Sequence, residues 1–194
     1  MKSIWIGVLA FSSMTVLAMA GQELGVGGSY VTTDGGNMAG ILVKYAYGFS
    51  DYFGLELRAS YLSGTDAKAD TISGSGYTIN NMYGAEGSQA TVVPLEAAIK
   101  IAYPVKPVVP YILLGGGYYL YTIDLPLEAN PGGVVGYFAA GGIEFDLGND
   151  VGLFVEAKYI QATWETEETC GLGTMTIEGG INGIGATAGI VWKF

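Results

Sequence analysis

Charged residues of this 194-residue chain recur at even spacing inside otherwise apolar segments. The clearest pairs are Glu56 with Arg58, Glu96 with Lys100, and Glu156 with Lys158. Successive side chains of a β-strand point to opposite faces, so the members of each pair share a face if their segment is a strand. Acids and bases on one face either pair as ions or supply proton-transfer and electrostatic groups to a reaction.

The composition argues against a reaction. The chain contains no histidine, the side chain whose unperturbed pKa lies nearest neutrality. No segment groups a nucleophile with a base, and the glycine-rich segments do not join a strand to a helix as phosphate-binding loops do. We therefore predict a non-enzymatic protein without a cofactor, and rank a histidine-free enzyme lowest among the alternatives.

One short acidic run is a weak candidate for a metal site. Glu165, Glu167 and Glu168 alternate with threonines and offer hard oxygen ligands suited to Ca²⁺ or Mg²⁺. The run lacks the Asp-x-Asp-x-Asp-Gly spacing of a calcium loop, so the sequence favours a solvated acidic loop. The single cysteine, Cys170, excludes an intramolecular disulfide.

The elements that carry these charges are predicted to be strands. With 32 glycines, 14 tyrosines and only 13% charged residues, the chain lacks long helical periodicities and is predicted to be all-β. Turn residues separate eight predicted strands: Gln22 to Thr33, Met38 to Gly48, Tyr52 to Leu62, Ala90 to Tyr103, Val108 to Ile123, Val134 to Leu147, Val151 to Trp164 and Gly179 to Phe194.

Two of these strands indicate which side chains share each face of the predicted sheet. In the third, apolar Phe53, Leu55 and Leu57 alternate with a face that carries Glu56 and Arg58. The segment Val108 to Ile123 is apolar on both faces, which would make the interior partly hydrophobic. A soluble sandwich or lipocalin-like barrel is the alternative, but it requires polar outer faces that these strands do not offer.

The N-terminal residues predict a secretory signal. A basic start at Lys2 precedes an apolar run from Ile4 to Ala20, and Ala18-Met19-Ala20 fits a cleavage site. We predict cleavage after Ala20, with residues 1–20 as signal peptide and 21–194 as one β-barrel domain. A membrane anchor is the alternative, but the run is short for a stable span.

Several motifs resemble those of a known superfamily. They are Tyr45-Ala46-Tyr47-Gly48 before Ser50-Asp51, Pro110-Tyr111 leading to Gly115-Gly116-Gly117-Tyr118, Gly141-Gly142-Ile143-Glu144-Phe145, and the terminal Trp192-Lys193-Phe194. In these the chain resembles the small eight-stranded barrels of the outer membrane, the OmpA/OmpX/opacity-protein group of porin-like proteins.

The resemblance implies an eight-stranded antiparallel transmembrane up-and-down β-barrel in the outer membrane of a Gram-negative envelope. An even strand count places both termini in the periplasm and the longer loops outside. The last strand alternates strictly, and Ile190, Trp192 and Phe194 on its apolar face are predicted to form the signal read by the barrel-assembly machinery.

In such a barrel the even-spaced charges face the interior. The predicted network comprises Lys44, Glu56, Arg58, Glu96, Lys100, Glu144, Glu156 and Lys158, with Glu23, Asp146 and Lys193 as further inward-facing members. These are six acids against five bases, and near-balanced charge in a narrow interior favours ion pairs over a water column. We predict a largely plugged lumen; a small passive channel for ions or small hydrophobic solutes is the alternative.

The predicted external loops carry most of the net charge of −10. They hold ten acids and one base, Lys68; the acids are Asp34, Asp66, Asp70, Glu86, Asp124, Glu128, Glu165, Glu167, Glu168 and Glu178. This charge excludes nucleic acid as a partner and favours cations or a basic protein surface. The predicted role is envelope structure or surface interaction, among outer-membrane lipids and lipopolysaccharide.

Overall fold

The structure is a computed structural model of the full chain. It describes the backbone of residues 21–33, 36–65, 68–74, 77–83, 89–105, 107–123, 132–170, 173–180 and 182–194. Side chains are described within 21–33, 36–64, 91–105, 107–122, 133–163 and 182–194. The predicted signal peptide, residues 1–20, lies outside these ranges.

The described chain contains twelve strands. In chain order they are β1 (Gln22–Thr33), β2 (Gly36–Gly48), β3 (Phe53–Thr65), β4 (Lys68–Gly74), β5 (Tyr77–Tyr83), β6 (Gln89–Ala102), β7 (Val108–Ile123), β8 (Gly132–Gly148), β9 (Val151–Gln161), β10 (Thr163–Cys170), β11 (Gly173–Gly180) and β12 (Gly183–Lys193). Eight of them close into a barrel in the order β1-β12-β9-β8-β7-β6-β3-β2, with every neighbouring pair antiparallel. The predicted eight-stranded antiparallel barrel is confirmed.

Closure depends on the pairing of the first strand with the last. The β1–β12 ladder runs from Glu23 opposite Lys193 to Thr33 opposite Gly183, and the backbone N–H of Phe194 donates to the carbonyl of Gln22 at 2.9 Å. A closed ladder leaves no strand edge unpaired, which a barrel wall in lipid requires because lipid offers no hydrogen bonds.

The connections differ at the two ends of the barrel. At one end, here called the turn end, short connections join β2 to β3, β6 to β7 and β8 to β9. The last of these places Gly148, Asn149 and Asp150 at positive φ, and Gly148 N donates to Asp146 Oδ1 at 3.0 Å. Short glycine- and Asx-containing turns of this kind fix the register of the strands they join.

At the other end, here called the hairpin end, two connections form strands of their own. The predicted strand bounds leave Ser63 to Gln89 and Glu165 to Glu178 as external loops. This prediction is wrong, because the two segments contain the hairpin β4–β5 and most of the hairpin β10–β11. These pair through β11 and β4 into a separate four-stranded sheet of order β10-β11-β4-β5. Threonine and isoleucine, which occur in both segments, and Tyr77 and Tyr83 of the first favour extended backbone and explain the difference.

The barrel wall has an apolar outer face. Large apolar side chains that point outward are exposed, among them Leu57, Leu95, Ile99, Ile143 and Ile190. Side chains at the alternate positions are buried inside the barrel, for example in β9, where buried and exposed residues alternate along the strand. Among the described residues no helix is long and apolar enough to cross a membrane.

Candidate functional site: the barrel interior

The charged residues predicted to share a face all point into the barrel. Buried there are Lys44, Glu56, Arg58, Glu96, Lys100, Glu144, Glu156 and Lys158, and Glu23 and Lys193 are half-buried at the turn end. The register places Lys44, Arg58 and Glu96 on one rung across β2, β3 and β6. The strand alternation thus brings the eight network residues together in one interior.

Arg58 lies at the centre of this network. Its Nη2 donates to Glu156 Oε1 at 2.6 Å, and its Nε lies 3.6 Å from Glu56 and 3.8 Å from Glu96. Glu156 also accepts a hydrogen bond from the Tyr111 hydroxyl through Oε2 at 3.1 Å. Because β3 and β9 lie four places apart in the ring of eight strands, the Arg58–Glu156 pair crosses the diameter of the lumen.

Glu96 is the second fully hydrogen-bonded carboxylate. Lys158 Nζ donates to both of its oxygens, at 2.8 Å and 2.9 Å, and the Tyr119 hydroxyl donates to Oε1 at 2.8 Å. A buried carboxylate is tolerated when a cation and further donors compensate its lost hydration. Glu96 therefore belongs to a structural pair rather than to an exposed reactive site.

Lys44 has an aromatic environment. Its ammonium lies 3.9 Å from the centre of the Phe154 ring and 5.3 Å from that of Tyr111, and 3.7 Å from Glu56 Oε2. Aromatic faces attract cations most strongly where water is excluded. The Phe154 ring in turn occupies space left by Gly189, where a Cβ would approach the ring to 2.7 Å.

At the turn end the ion pairs reach solvent. Lys100 pairs with Glu23 and lies 3.6 Å from Glu144, which also receives Lys193 at 2.5 Å. These four residues line a cavity of about 390 Å³ that opens at this end of the barrel. The mouth of the barrel is therefore polar and accessible.

The interior charges balance. Five bases (Lys44, Arg58, Lys100, Lys158 and Lys193) face five acids (Glu23, Glu56, Glu96, Glu144 and Glu156). Asp146, which the sequence places with them, is half-buried and accepts from the turn residue Gly148. An interior of zero net charge minimises the cost of removing these groups from water.

Toward the hairpin end the interior is apolar. A contiguous buried cluster takes one side chain from each of seven strands: Val31, Met38, Leu62, Val92, Tyr119, Phe138 and Ile160. The eighth strand, β12, contributes Gly185, whose missing side chain leaves space that Val31 occupies. We call this set the apolar layer. It crosses the whole section of the barrel.

Sequence reasoning did not place Tyr111, Tyr119 and Phe154 in the charge network. All three contact the network directly. Because the predicted strand Val108 to Ile123 is apolar on both faces, its sequence does not show whether Tyr111 and Tyr119 point into the lumen or toward the lipid. The strand register shows why Tyr111 fits inside: it lies opposite Gly142, where a Cβ would approach the Tyr111 hydroxyl to 2.5 Å.

One ladder of the wall is interrupted. β3 and β6 pair on both sides of Ser60 and Tyr61, but the pairs Ser60–Pro94 and Tyr61–Val93 are missing from the described ladder although its register does not shift. Proline has no N–H to donate, which accounts for the loss. Pro94 itself is fully buried.

The remaining predicted site residues are three on the last strand and three in the acidic run. Ile190, Trp192 and Phe194 project outward from β12 and the terminus, as the alternation predicts. Glu165, Glu167 and Glu168 fall in β10, where the side chains lie outside the described residues. Within the described part of the chain no group of three or more acidic, cysteine or histidine side chains is arranged to hold a metal.

Solved structures share this fold at low identity. OprG from Pseudomonas aeruginosa superposes with a TM-score of 0.71 at 13% identity, covering 90% of this chain and 95% of OprG. Neisserial surface protein A gives 0.53 at 12% identity, covering 90% and 96%. The Ail attachment invasion locus protein of Yersinia pestis, in complex with the heparin analogue sucrose octasulfate, gives 0.51 at 15% identity, covering 91% and 100%. At these identities the likeness concerns the fold alone.

A search of curated protein sequences finds no match. The sequence profile for the outer membrane protein beta-barrel domain, however, matches residues 6–194. The apolar outer face and the closed eight-stranded wall agree with a position in the outer membrane. Short turns face the periplasm in such barrels, so the turn end is periplasmic and the hairpin end lies outside. The chain belongs to the outer membrane protein beta-barrel domain family and is an outer-membrane protein.

Proposed function

We propose that this is a non-enzymatic surface protein with a closed barrel, acting in envelope structure or adhesion through its extracellular hairpins. The observation that carries the proposal is the filled lumen: five acids pair with five bases below a continuous apolar layer. An interior filled in this way offers no path for solutes. The working surface then lies outside the barrel.

The extracellular sheet supports a role in protein contact. Its order leaves β5 and β10 at the edges, and an edge strand has backbone N–H and C=O groups free to pair with another chain. β5 (YTINNMY) carries none of the lysines or prolines that block edge pairing. A partner that adds a strand to β5 would use backbone hydrogen bonds for affinity.

Charge narrows the choice of partner. The segments outside the barrel hold ten acids and Lys68, a surface that attracts cations or a basic protein and repels anions. Ail was crystallised with a heparin analogue, but here the charge favours a cationic surface over an anionic glycan. Contact with lipopolysaccharide and recognition of Ile190, Trp192 and Phe194 by the assembly machinery belong to the same proposal.

The first test is single-channel conductance of refolded residues 21–194 in a planar bilayer, with a heat-modifiable gel shift as proof of folding. The closed barrel predicts silence, and reproducible conductance steps would refute it. Binding is then measured with fluorescent polylysine and fluorescent heparin as probes. We expect polylysine to bind, and less of it to bind when residues 165–178, which hold four acids and no base, are replaced by a short Gly-Ser linker. Preference for heparin would contradict the charge argument.

A second candidate function is the passage of small apolar solutes. The interrupted ladder at Pro94 favours it, because this gap in the β3–β6 hydrogen bonding lies beside Leu62 and Val92 of the apolar layer. In the variant Pro94→Ala an N–H returns to the ladder, so uptake of an apolar dye into vesicles should slow if this gap is a route. Unchanged uptake would exclude the gap as a route.

A further inference from the structure

The lumen contains two compartments that differ in chemistry. The side chains of the apolar layer are aliphatic or aromatic, and within the described residues this layer contains no ionised group. The ten charged groups lie on its periplasmic side, between the layer and the cavity at the turn end. The apolar layer therefore interrupts the row of charged groups that would otherwise line the lumen from one end to the other.

Exposure within the charged compartment is greatest at its periplasmic end. The side chains of Lys193 and Glu23 are 27% and 20% exposed and that of Lys100 is 9% exposed, whereas Glu56 is fully buried and Lys158, two residues before Ile160 of the apolar layer, is 7% exposed. Among the described residues this compartment opens at its periplasmic end, in the cavity of about 390 Å³ that Glu23, Lys100, Glu144 and Lys193 line. That cavity gives water access to the network from the periplasm.

The deepest part of the network retains hydrogen-bonding capacity. Lys44 Nζ, both oxygens of Glu56, and Nε and Nη1 of Arg58 have no hydrogen-bond partner among the described residues, although all are buried. Their ion-pair distances of 3.6 to 3.7 Å exceed hydrogen-bond length. Buried polar atoms almost always find a partner, and internal water is the usual one where protein atoms do not serve.

We propose that the apolar layer alone is the permeability barrier of this barrel, and that the ionic network beneath it is a hydrated basin open only to the periplasm. A hydrophobic constriction excludes ions by excluding the water that would solvate them. The ion pairs fix the shape of the basin but do not close it. This inference rests on the closed barrel proposed above and assigns its closure to particular residues.

Conductance of two sets of variants separates the layer from the network. The double variant Leu62→Ser with Ile160→Ser makes the apolar layer polar and smaller, while Ile184→Ser makes the same change on the outer face. Lys44→Met with Glu56→Gln removes the Lys44–Glu56 and Arg58–Glu56 ion pairs without changing the layer. We expect conductance steps from the layer variant and silence from the other two.

Failure of the inference is distinct from failure of the closed barrel. Conductance of the wild-type chain would refute the closed barrel itself. A silent wild type with a conducting network variant, or with a folded but silent layer variant, would overturn the inference alone.

Thiol labelling of folded protein provides a test that does not depend on the layer variants. In a Cys170→Ser background, Ala46→Cys lies in the periplasmic cavity and Tyr121→Cys lies beyond the apolar layer. A charged, membrane-impermeant thiol reagent should modify Cys introduced at 46 only from the periplasmic side, and Cys introduced at 121 only from outside. Modification of either position from both sides would overturn the proposal.

Discussion

Replacing Arg58 with methionine should destabilise the barrel because it leaves the buried carboxylate of Glu156 without its ion partner. Of the three acids near Arg58, Glu56 keeps Lys44 at 3.7 Å and Glu96 keeps Lys158 at 2.8 Å. Glu156 loses its ion partner among the described residues and retains only the Tyr111 hydroxyl at 3.1 Å. Leaving one buried charge unpaired costs about 3 to 5 kcal/mol, and the remaining hydrogen bond places the expected loss at about 3 kcal/mol.

The double variant Arg58→Met with Glu156→Gln distinguishes this cause from a general loss of packing. It removes both charges, and such replacements are close to neutral, so the unfolding free energy should return to within about 1 kcal/mol of wild type. The two changes should therefore show a coupling energy of about 2 kcal/mol. Lys193→Met, at the exposed mouth where Glu144 keeps Lys100 at 3.6 Å, is the matched control and should cost about 0 to 1 kcal/mol.

The assay is urea unfolding in phospholipid vesicles, followed by tryptophan fluorescence and by the heat-modifiable gel shift. An Arg58→Met variant within about 1 kcal/mol of wild type would refute the argument, because it would mean that Glu156 is solvated like a surface carboxylate. A large loss that the second substitution fails to restore would instead assign the cost to packing of the arginine stem.

Other changes test the wall and the hairpins. Leu57→Arg places a charge on the outer face, where we expect a loss of about 2 to 4 kcal/mol in vesicle unfolding relative to Leu57→Ala. Gly189→Leu would place a Cβ 2.1 Å from the Val26 carbonyl oxygen and 2.7 Å from the Phe154 ring, so the β1–β12 backbone must shift and the cost should reach about 3 kcal/mol or more. Gly28→Ala, with nothing within 4 Å of its Cβ, should leave stability unchanged in the same assay. Replacing residues 68–83 by a short linker should preserve the heat-modifiable shift, because the barrel closes without β4 and β5.

The barrel could be predicted from the sequence because its physical cause is local. Alternation with a period of two, as in Glu56-Leu57-Arg58, assigns each side chain to the lipid or to the lumen without knowledge of its neighbours. The strand bounds differ by only a few residues, for example Phe53 rather than Tyr52 at the start of β3. Turn residues at Gly148 to Asp150 mark a connection in the same local way.

The extracellular sheet and the partners within the network could not be predicted in this way. Pairing of β4 with β11 joins residues about a hundred positions apart, and neither hairpin reveals from its own residues that it meets the other. Likewise, the choice of Glu156 rather than Glu56 as the hydrogen-bonded partner of Arg58 depends on the stagger of eight strands. Such contacts depend on how the strands are arranged around the closed barrel, and the sequence of a single strand does not determine that arrangement.

The ion pairs across the lumen stabilise the cross-section of the barrel. Ladder hydrogen bonds fix each strand only to its two neighbours, whereas Arg58–Glu156 joins strands four places apart and the Glu96–Lys158 pair joins strands three places apart. A sheet held only by neighbour contacts can flatten in cross-section without breaking a ladder. Ties across the lumen oppose that deformation, and they keep the apolar layer at the one diameter its side chains can fill. We therefore expect the ion pairs and the apolar layer to act together: the pairs hold the cross-section, and the layer closes it.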